Sequence, residues 1–280
     1  MRRSVFEWGL FFLAVAGVIL AGRSNAGTLS ITSGMTLTVL SDQIQVRVSA
    51  ANHGTGPAYH LQGYLHIFGR KLAAKALDRL EVNQSQSFHF SVPMPSGKKG
   101  EFPFVSEVIF HDDNRHPFTA LSGATFKLDS AGDSKLIGQS PQLTIIEKGR
   151  WPVEIISLDP EPRNVIATAY LPRGLETPAR QKQISVGAFK TAMLNFPLTY
   201  RLGTGGATYP LFCALEYDEN GIHHTVIVRS TARIEIRQNW FNKTRWYWLG
   251  GMLLLLLVWV AIGLTGRMHS NPKRAINSDG

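Results

Sequence analysis

Cysteine is nearly absent from this sequence of 280 residues, since Cys213 is the only one. A single thiol excludes an intramolecular disulfide, so the chain is not a disulfide-stabilised secreted miniprotein and has to be held together by hydrophobic cores. Cys213 lies within the apolar run Tyr209 to Leu215. There we expect a small buried side chain on a strand rather than a reactive thiol.

The common signatures of catalysis and nucleotide binding are also missing. The sequence contains no Gly-x-Ser-x-Gly nucleophile elbow, no phosphate-binding loop and no dinucleotide fingerprint. A blue-copper site needs a cysteine closely followed by histidine, and Cys213 has none nearby. We therefore predict a protein that is not an enzyme and that needs no cofactor.

Acidic residues are fewer than basic ones, 20 against 29, which gives a formal net charge of +9. Much of the excess lies beside two apolar segments near the ends of the chain: Arg2, Arg3, Arg23, Arg237, Lys243, Arg245, Arg267, Lys273 and Arg274. Basic residues at such places are typical of membrane boundaries. The net charge is therefore no argument for a nucleic-acid partner, and we predict none.

The N-terminal segment 1–26 has the pattern of a signal peptide. Arg2 and Arg3 precede the mostly apolar stretch Trp8 to Gly22, and Ser24 and Ala26 supply the small residues that a signal peptidase reads. We predict cleavage after Ala26. The alternative is an uncleaved N-terminal anchor, and the central part of the chain is exported in either case.

The segment 246–266 is predicted to be a transmembrane helix. It contains no charged residue, and its length matches the roughly 20 residues that cross a bilayer. Trp246, Tyr247 and Trp248 stand at its start, where aromatic side chains favour the interface. These features predict a single-pass protein of a bacterial inner membrane with a periplasmic ectodomain and a short cytoplasmic tail, 267–280.

Between the two ends the sequence alternates between apolar and polar residues, as in Ile44 to Ser49, Phe88 to Val92 and Thr225 to Arg229. Turn-forming clusters such as Pro95 to Gly97 and Asn220-Gly221 separate the runs. Short alternating runs with this punctuation indicate an all-β sandwich protein. The stretch Lys71 to Leu80 is open to two interpretations, a helix or a strand with a short turn.

An internal repeat divides the ectodomain. Phe102 to Asn114 can be aligned with Tyr209 to Gly221, because each has an aromatic-proline step, an apolar strand, an aromatic residue and an acidic turn. We predict two tandem Ig-like β-sandwiches over 28–130 and 150–237. The segment 131–149 is a linker or an extra strand, since it includes the apolar run Leu143 to Ile146.

The segment Val46 to Ala58 resembles the strand–turn element of bacterial Ig-like modules of the CARDB and NEW3 kind. In both, an alternating strand ends in asparagine, and glycine and a Pro-Ala step follow. The resemblance implies further strands at Leu61 to Phe68, within Leu80 to Phe90, and at Glu107 to Phe110. It implies a fold and no catalytic residues, because sandwiches serve many functions.

Two groups of residues are candidates for a site. His111, Asp112, Asp113 and His116 combine imidazoles and carboxylates within six positions, which a metal ion could use, although Asp and Asn are also the usual residues of a solvated turn. Arg150, Trp151, Tyr170 and Arg173 could form a basic-aromatic surface for carbohydrate, although a tryptophan at a domain start is often a core residue.

The predicted function is a membrane-anchored binding or scaffold protein that positions another envelope component, with a protein of the envelope or inner membrane as the partner. Exposed sheet edges and end loops offer the binding surfaces. Two alternatives remain open at this point. One is a carbohydrate-binding module of an envelope polysaccharide system, and the other is a metal-dependent enzyme or metallochaperone that uses the His and Asp turns.

Overall fold

The computed structural model describes most of the chain between the two predicted terminal features. Its described residues are 29–129, 132–201, 206–235 and 240–268, and inside the C-terminal helix the described side chains are Thr244 and 246–259. The predicted signal peptide, 1–26, lies outside the described residues, as does the tail from 269 onward. The chain divides into two compact units, 1–235 and 236–280, which we describe separately.

Eight strands form the first sandwich. They are β1 Ile31–Val39, β2 Gln43–Asn52, β3 Ala58–Ile67, β4 Arg70–Ala73, β5 Leu77–Leu80, β6 Ser85–Pro93, β7 Gly100–His111 and β8 Pro117–Leu128. One sheet has the order β1-β2-β6, and in the other β7 pairs with β8 and β3, while β4 and β5 both pair with β3. The alternating apolar residues of β2 and β6 enter the core, where Val48 and Phe88 are at most 2% exposed.

Nine strands form the second sandwich. They are β9 Leu136–Gln139, β10 Leu143–Ile145, β11 Lys148–Ser157, β12 Arg163–Tyr170, β13 Leu175–Glu176, β14 Gln181–Val186, β15 Thr191–Tyr200, β16 Thr208–Glu219 and β17 Ile222–Ile234. One sheet has the order β13-β15-β11-β9, and the other has the order β14-β12-β16-β17, with β10 parallel to β17. Trp151 and Phe196 pack in the centre of its core with ring centroids 5.5 Å apart.

Local sequence explains the tight hairpins. Asn220 and Gly221 form the two-residue turn between β16 and β17, with φ values of 51° and 78°. Phe68 and Gly69 form the corresponding turn between β3 and β4, with φ values of 51° and 71°. Two successive positive φ values match a type I′ turn, whose twist suits the right-handed twist of paired strands.

The prediction of an all-β chain is confirmed by these seventeen strands. The ambiguous stretch Lys71 to Leu80 contains most of β4 and all of β5 and no helix. The apolar run in 131–149 supplies β10, and Leu136 and Ile145 from this segment belong to the second core. The two segments of the predicted repeat correspond to β7 and β16, which are both twelve residues long and both lead into a hairpin.

The described residues of the C-terminal unit form one helix, α1, at Trp240–Met268. The predicted transmembrane segment, 246–266, falls within it. Across the described residues, no helix is long and apolar enough to cross a membrane.

The two sandwiches meet edge to edge through β17 and β7. His223 pairs with Gly100 in a short parallel bridge, and the His223 N–H donates to the Lys99 carbonyl at 2.9 Å. The bridge makes one continuous sheet with the order β14-β12-β16-β17-β7-β3-β4. Two separate hydrophobic cores therefore lie within one compact unit.

Side chains reinforce this junction between the sandwiches. Thr225 Oγ1 donates to the Glu101 carbonyl at 2.8 Å, and an Arg229 Nη2 donates to the Gly123 carbonyl at 3.0 Å. The backbone N–H of Arg173 donates to Thr119 Oγ1 at 3.1 Å. Because these bonds come from separate strands and a loop, they restrain the second sandwich against the first at several points.

Candidate functional site: the junction cleft

A cleft opens on the continuous sheet where the two sandwiches meet, and we refer to it as the junction cleft. Its volume is about 510 Å³, which lies within the ordinary range for ligand sites. The β3–β4 hairpin, His66 to Lys71, forms the wall on the first sandwich. Alternate residues of β12 from Asn164 to Tyr170, the end of β16 and His223 form the wall on the second sandwich.

On the first wall, a buried carboxylate organises two basic side chains. Lys71 Nζ donates to Glu107 Oε2 at 2.7 Å, and His66 Nε2 lies 3.4 Å from the same oxygen. Burial alone would raise the pKa of Glu107, but the hydrogen bonds from His66 and Lys71 outweigh it and lower the pKa to about 2. The carboxylate is therefore charged across the physiological range and holds both bases at the surface of the cleft.

Glu107 should make stability depend on pH in acid. Its pKa is lower in the folded chain than its ordinary 4.5, so its stabilisation is present above pH 4.5 and is lost as the pH falls towards 2. At about 1.4 kcal/mol per pKa unit, the wild type should lose roughly 3 kcal/mol relative to Glu107→Gln over that interval. Urea unfolding of both proteins between pH 6 and pH 2 measures the difference. Glu81→Gln, at a half-exposed pair with Arg79, is the control, and an equal pH dependence in all three proteins would contradict the assignment.

On the second wall, His223 lies between two carboxylates. When its ring is doubly protonated, Nδ1 donates to Asp218 at 2.8 Å and Nε2 donates to Glu216 at 3.2 Å. Burial alone would lower the pKa of His223, but the two carboxylates raise it above the ordinary 6.5. The stabilisation from the imidazolium is therefore present below pH 6.5 and is lost as the pH rises through the folded-state pKa.

Aromatic contacts fix the same residues across the junction. The His223 ring stacks on Phe102 of the first sandwich with centroids 4.7 Å apart and planes 7° apart. Tyr170 of the second sandwich meets His66 of the first edge-on, with centroids 5.3 Å apart. Burial raises the pKa of Tyr170 to about 12, so its hydroxyl stays neutral and can donate a hydrogen bond.

Two arginines line the cleft from opposite sides, Arg70 in the β3–β4 hairpin and Arg180 just before β14. Both side chains are exposed, and within the described part of the chain neither forms an ion pair. The exposed carboxylate of Asp218 stands nearby on the second wall. The cleft thus offers fixed charges of both signs and hydrogen-bond donors, which suits recognition of a polar partner by electrostatic complementarity.

The thiol is not part of this cleft. Cys213 is fully buried in β16, and burial raises the pKa of its thiol far above the ordinary value. A neutral, enclosed thiol is a poor nucleophile. Its position agrees with the sequence prediction of a small buried side chain on a strand.

The turn that contains the candidate metal ligands is organised around its own backbone. Asp112 Oδ1 accepts hydrogen bonds from the backbone N–H groups of Asn114 and His116, at 2.9 and 2.8 Å, and Asp112 Oδ2 lies 3.2 Å from the His116 ring. Asp113 instead interacts with the Tyr59 hydroxyl and raises its pKa, and the His111 ring contacts His60 edge-on with centroids 6.1 Å apart. Among the described residues, no group of three His, Cys, Asp or Glu side chains is placed to hold a metal ion.

The four candidate residues for a carbohydrate surface are divided between different parts of the second sandwich. Trp151 is fully buried, and its indole N–H donates to Ser140 at 2.8 Å, so neither face of its ring is available to a sugar. Arg150 precedes Trp151 on β11, which belongs to the sheet that does not contain β12. Arg173 lies in a loop, where its backbone N–H bonds to Thr119. Of the four candidates, Tyr170 alone lines the junction cleft.

Comparisons with known proteins give no family. No family model and no curated protein matches the chain. Similar solved structures include a Salmonella α-2-macroglobulin (12% identity, TM-score 0.28, 72% of this chain and 16% of that one). They also include red sea bream transglutaminase (13% identity, TM-score 0.24, 82% of this chain and 34% of that one). A third is the periplasmic chaperone SfaE (14% identity, TM-score 0.27, 71% of this chain and 100% of that one). The chain thus spans a sixth to a third of the first two, and TM-scores this low carry no argument.

Most residues of the junction cleft carry no signal in the sequence. His66, Glu107, Glu216 and His223 are far apart along the chain, and none belongs to a spaced motif. The alternation of strand residues places each of them on the outer face of its strand. What unites them is the bridge between β17 and β7, which only the tertiary structure reveals.

Proposed function

We propose that the protein is a membrane-tethered, extracytoplasmic binding or scaffold protein that is not an enzyme. Its tandem Ig-like sandwiches, related to the CARDB and NEW3 kind, would project into the periplasm of a bacterium. The junction cleft would receive an envelope protein partner. The observation that carries this proposal is the junction itself, where backbone bonds, ring contacts and ion pairs hold residues of both sandwiches around one polar cleft.

Rigidity of the junction supports a binding role. A cleft whose charged side chains are already fixed by partners, as His223 is by Glu216 and Asp218, loses little side-chain freedom when a ligand binds. Glu107 fixes Lys71 and His66 on the opposite wall in the same way. Arg70 and Arg180, which form no ion pair with any described residue, then supply the contacts that select a partner.

The tether rests on the sequence of the whole segment 246–266, part of whose side chains lie outside the described residues. This segment has no charged residue, and aromatic residues stand at its start. The apolar side chains from Leu253 to Leu257 are 46% to 68% exposed. An apolar helix with its side chains unburied gains stability from a hydrocarbon environment.

Site-specific photo-crosslinking in intact membranes tests the proposal. A photoreactive amino acid at Ile166, 40% exposed in the cleft, should give a discrete covalent adduct with one envelope protein. The matched control is Ile137, 47% exposed on the other sheet of the second sandwich, which should give none. Arg180→Glu should reduce the yield of the Ile166 adduct at least tenfold, because reversing the charge replaces an attractive contact with the partner by a repulsive one.

Two results would contradict the proposal. Equal labelling from Ile166 and Ile137 would show that the cleft is not the binding surface. Alkaline carbonate releases peripheral proteins from membranes. If it extracted the full chain, the proposed membrane tether would be wrong. We expect the chain to stay in the membrane fraction.

A further inference from the structure

One edge strand of the first sandwich, β6, is long and bare. β6 ends the sheet β1-β2-β6, and among the described residues nothing pairs with its outer side. It is nine residues long, it has no charged residue and no proline before Pro93, and its pairing with β2 runs without a bulge. Natural edge strands usually carry a charge, a proline or a bulge, because these features prevent unwanted strand pairing.

Several of the other edges are charged or short. β4 carries Arg70 and Lys71, and β14 carries Lys182, whose Nζ reaches across the sandwich to the Asn195 carbonyl at 2.7 Å. β1, at the other end of the same sheet, is likewise nine residues long and uncharged, and its side chains contact β7, where the Ser33 and Ser106 hydroxyl oxygens are 3.2 Å apart. β9 and β13 are only four and two residues long. β6 is therefore a long edge that no charge, interior proline or bulge protects.

The register identifies the backbone groups that β6 leaves free. The bonds from Asn52 N–H to the Gln84 carbonyl and from Met94 N–H to the Asp42 carbonyl, both 2.9 Å, show that even-numbered residues bond to β2. In an antiparallel pair the alternate residues point their N–H and C=O groups the other way. In β6 these residues are Ser85, Ser87, His89 and Ser91.

The opposing sheet extends further than β6 does. A Cβ placed on Gly63 of β3 would lie 2.6 Å from the Phe88 ring, so β6 packs directly over β3. Beyond β3 the opposing sheet continues with β4 and β5, which both pair with it. Leu72 and Leu77 on those strands point to the core and are only half-buried. A further strand beside β6 would lie over them.

We infer that β6 is a docking edge for an extended segment of another polypeptide that joins the sheet β1-β2-β6 as a fourth strand. Its backbone would bond to the four free residues of β6, and its alternate side chains would be apolar in order to cover Leu72 and Leu77. The edge has no charge of its own, so the adjoining part of the segment is neutral. This inference requires neither the membrane tether nor the junction cleft, and it can fail or hold independently of them.

Hydrogen exchange on the full chain in detergent micelles tests the inference. The probe is a synthetic nine-residue peptide with Val or Leu at alternate positions and Ser or Thr between them. At saturation the amides of Ser85, Ser87, His89 and Ser91 should exchange about tenfold more slowly, because each gains a carbonyl partner. A peptide with Thr in place of every Val and Leu should bind at least tenfold more weakly.

Two further probes carry N-methyl groups on either the odd or the even residues of the same peptide. A strand bonds to its neighbour through one edge only, so one of these peptides should bind and the other should not. On the protein side, Ser87→Pro should abolish binding, because it removes an N–H that points away from β2, and Ser87→Thr should retain it. Because the methylated peptides leave the protein unchanged, the result stands even if Ser87→Pro fails to fold.

Three outcomes would overturn the inference. The first is equal binding of both methylated peptides, which would show that the peptide contacts the protein through its side chains and not through its backbone. The second is the absence of slowed exchange at saturating peptide. The third is slowed exchange without peptide that increases with protein concentration, which would assign the edge to a second copy of the chain.

Discussion

Replacing Gly100 by alanine should separate the two sandwiches. Gly100 has a φ of 124°, in a region that side-chain-bearing residues rarely adopt, and a Cβ there would lie 2.0 Å from the His223 carbonyl oxygen. The clash is with backbone atoms, which cannot rotate away as a side chain could. We expect a loss of about 3 kcal/mol or more in the free energy of unfolding, because strain and a broken bridge act together.

Thermal unfolding followed by calorimetry measures this effect. In the wild type the junction should couple the two cores into one transition, and in Gly100→Ala the transition should split into two. Gly97→Ala is the matched control, because Gly97 has a φ of 74° but no atom within 4 Å of its Cβ position. That variant should cost only the conformational strain, about 1 kcal/mol. If Gly100→Ala costs no more than Gly97→Ala, the bridge does not hold the sandwiches together.

Removing Arg163 should have a comparable effect on the second sandwich alone. Asp159 is fully buried, and Arg163 Nε donates to its Oδ2 at 2.6 Å while Nη2 donates to Glu219 at 2.6 Å. The hydrogen bond from Arg163 holds the pKa of Asp159 below its usual range. Lys135 Nζ, which is 2.6 Å from Glu219, also forms an ion pair with Asp159 at 3.7 Å, but it donates no hydrogen bond to Asp159 as the guanidinium does.

Arg163→Ala should therefore lower the free energy of unfolding by about 3–5 kcal/mol, the range for breaking a buried ion pair on one side only. Arg201→Ala removes the same side chain from an exposed pair, since Arg201 and Glu176 are 2.8 Å apart with more than half of each side chain exposed. Its cost should stay below about 1 kcal/mol. Chemical denaturation of both variants gives the comparison, and similar losses in the two would exclude a structural role for the buried network.

The alternation of apolar and polar residues was sufficient to predict the strands. Ile44 to Ser49 and Phe88 to Val92 lie within β2 and β6, and Asn220-Gly221 forms the expected turn, because these choices depend on local backbone preferences and on one buried face. The stretch Lys71 to Leu80 could not be decided from sequence. Its strands are short, and their pairing with β3 is a tertiary contact.

The junction cleft was beyond sequence reasoning for a physical reason. Gly100 lies in a run, Ser96 to Gly100, that reads as an ordinary turn, and nothing in it signals contact with His223 more than a hundred residues later. The clustered residues of 111–116 drew attention because they are adjacent in sequence. Asp112 in fact stabilises its own turn, while the side chains that converge in space are dispersed along the chain.

The buried thiol makes the chain its own reporter of unfolding. Cys213 stands in the middle of β16, paired with Ala169 of β12 on one side and with Val228 of β17 on the other. A thiol-modifying reagent can reach the sulfur only after those strands part. Because the chain contains no other cysteine, the rate of its modification measures how often the centre of the second sandwich opens, with no label or mutation introduced.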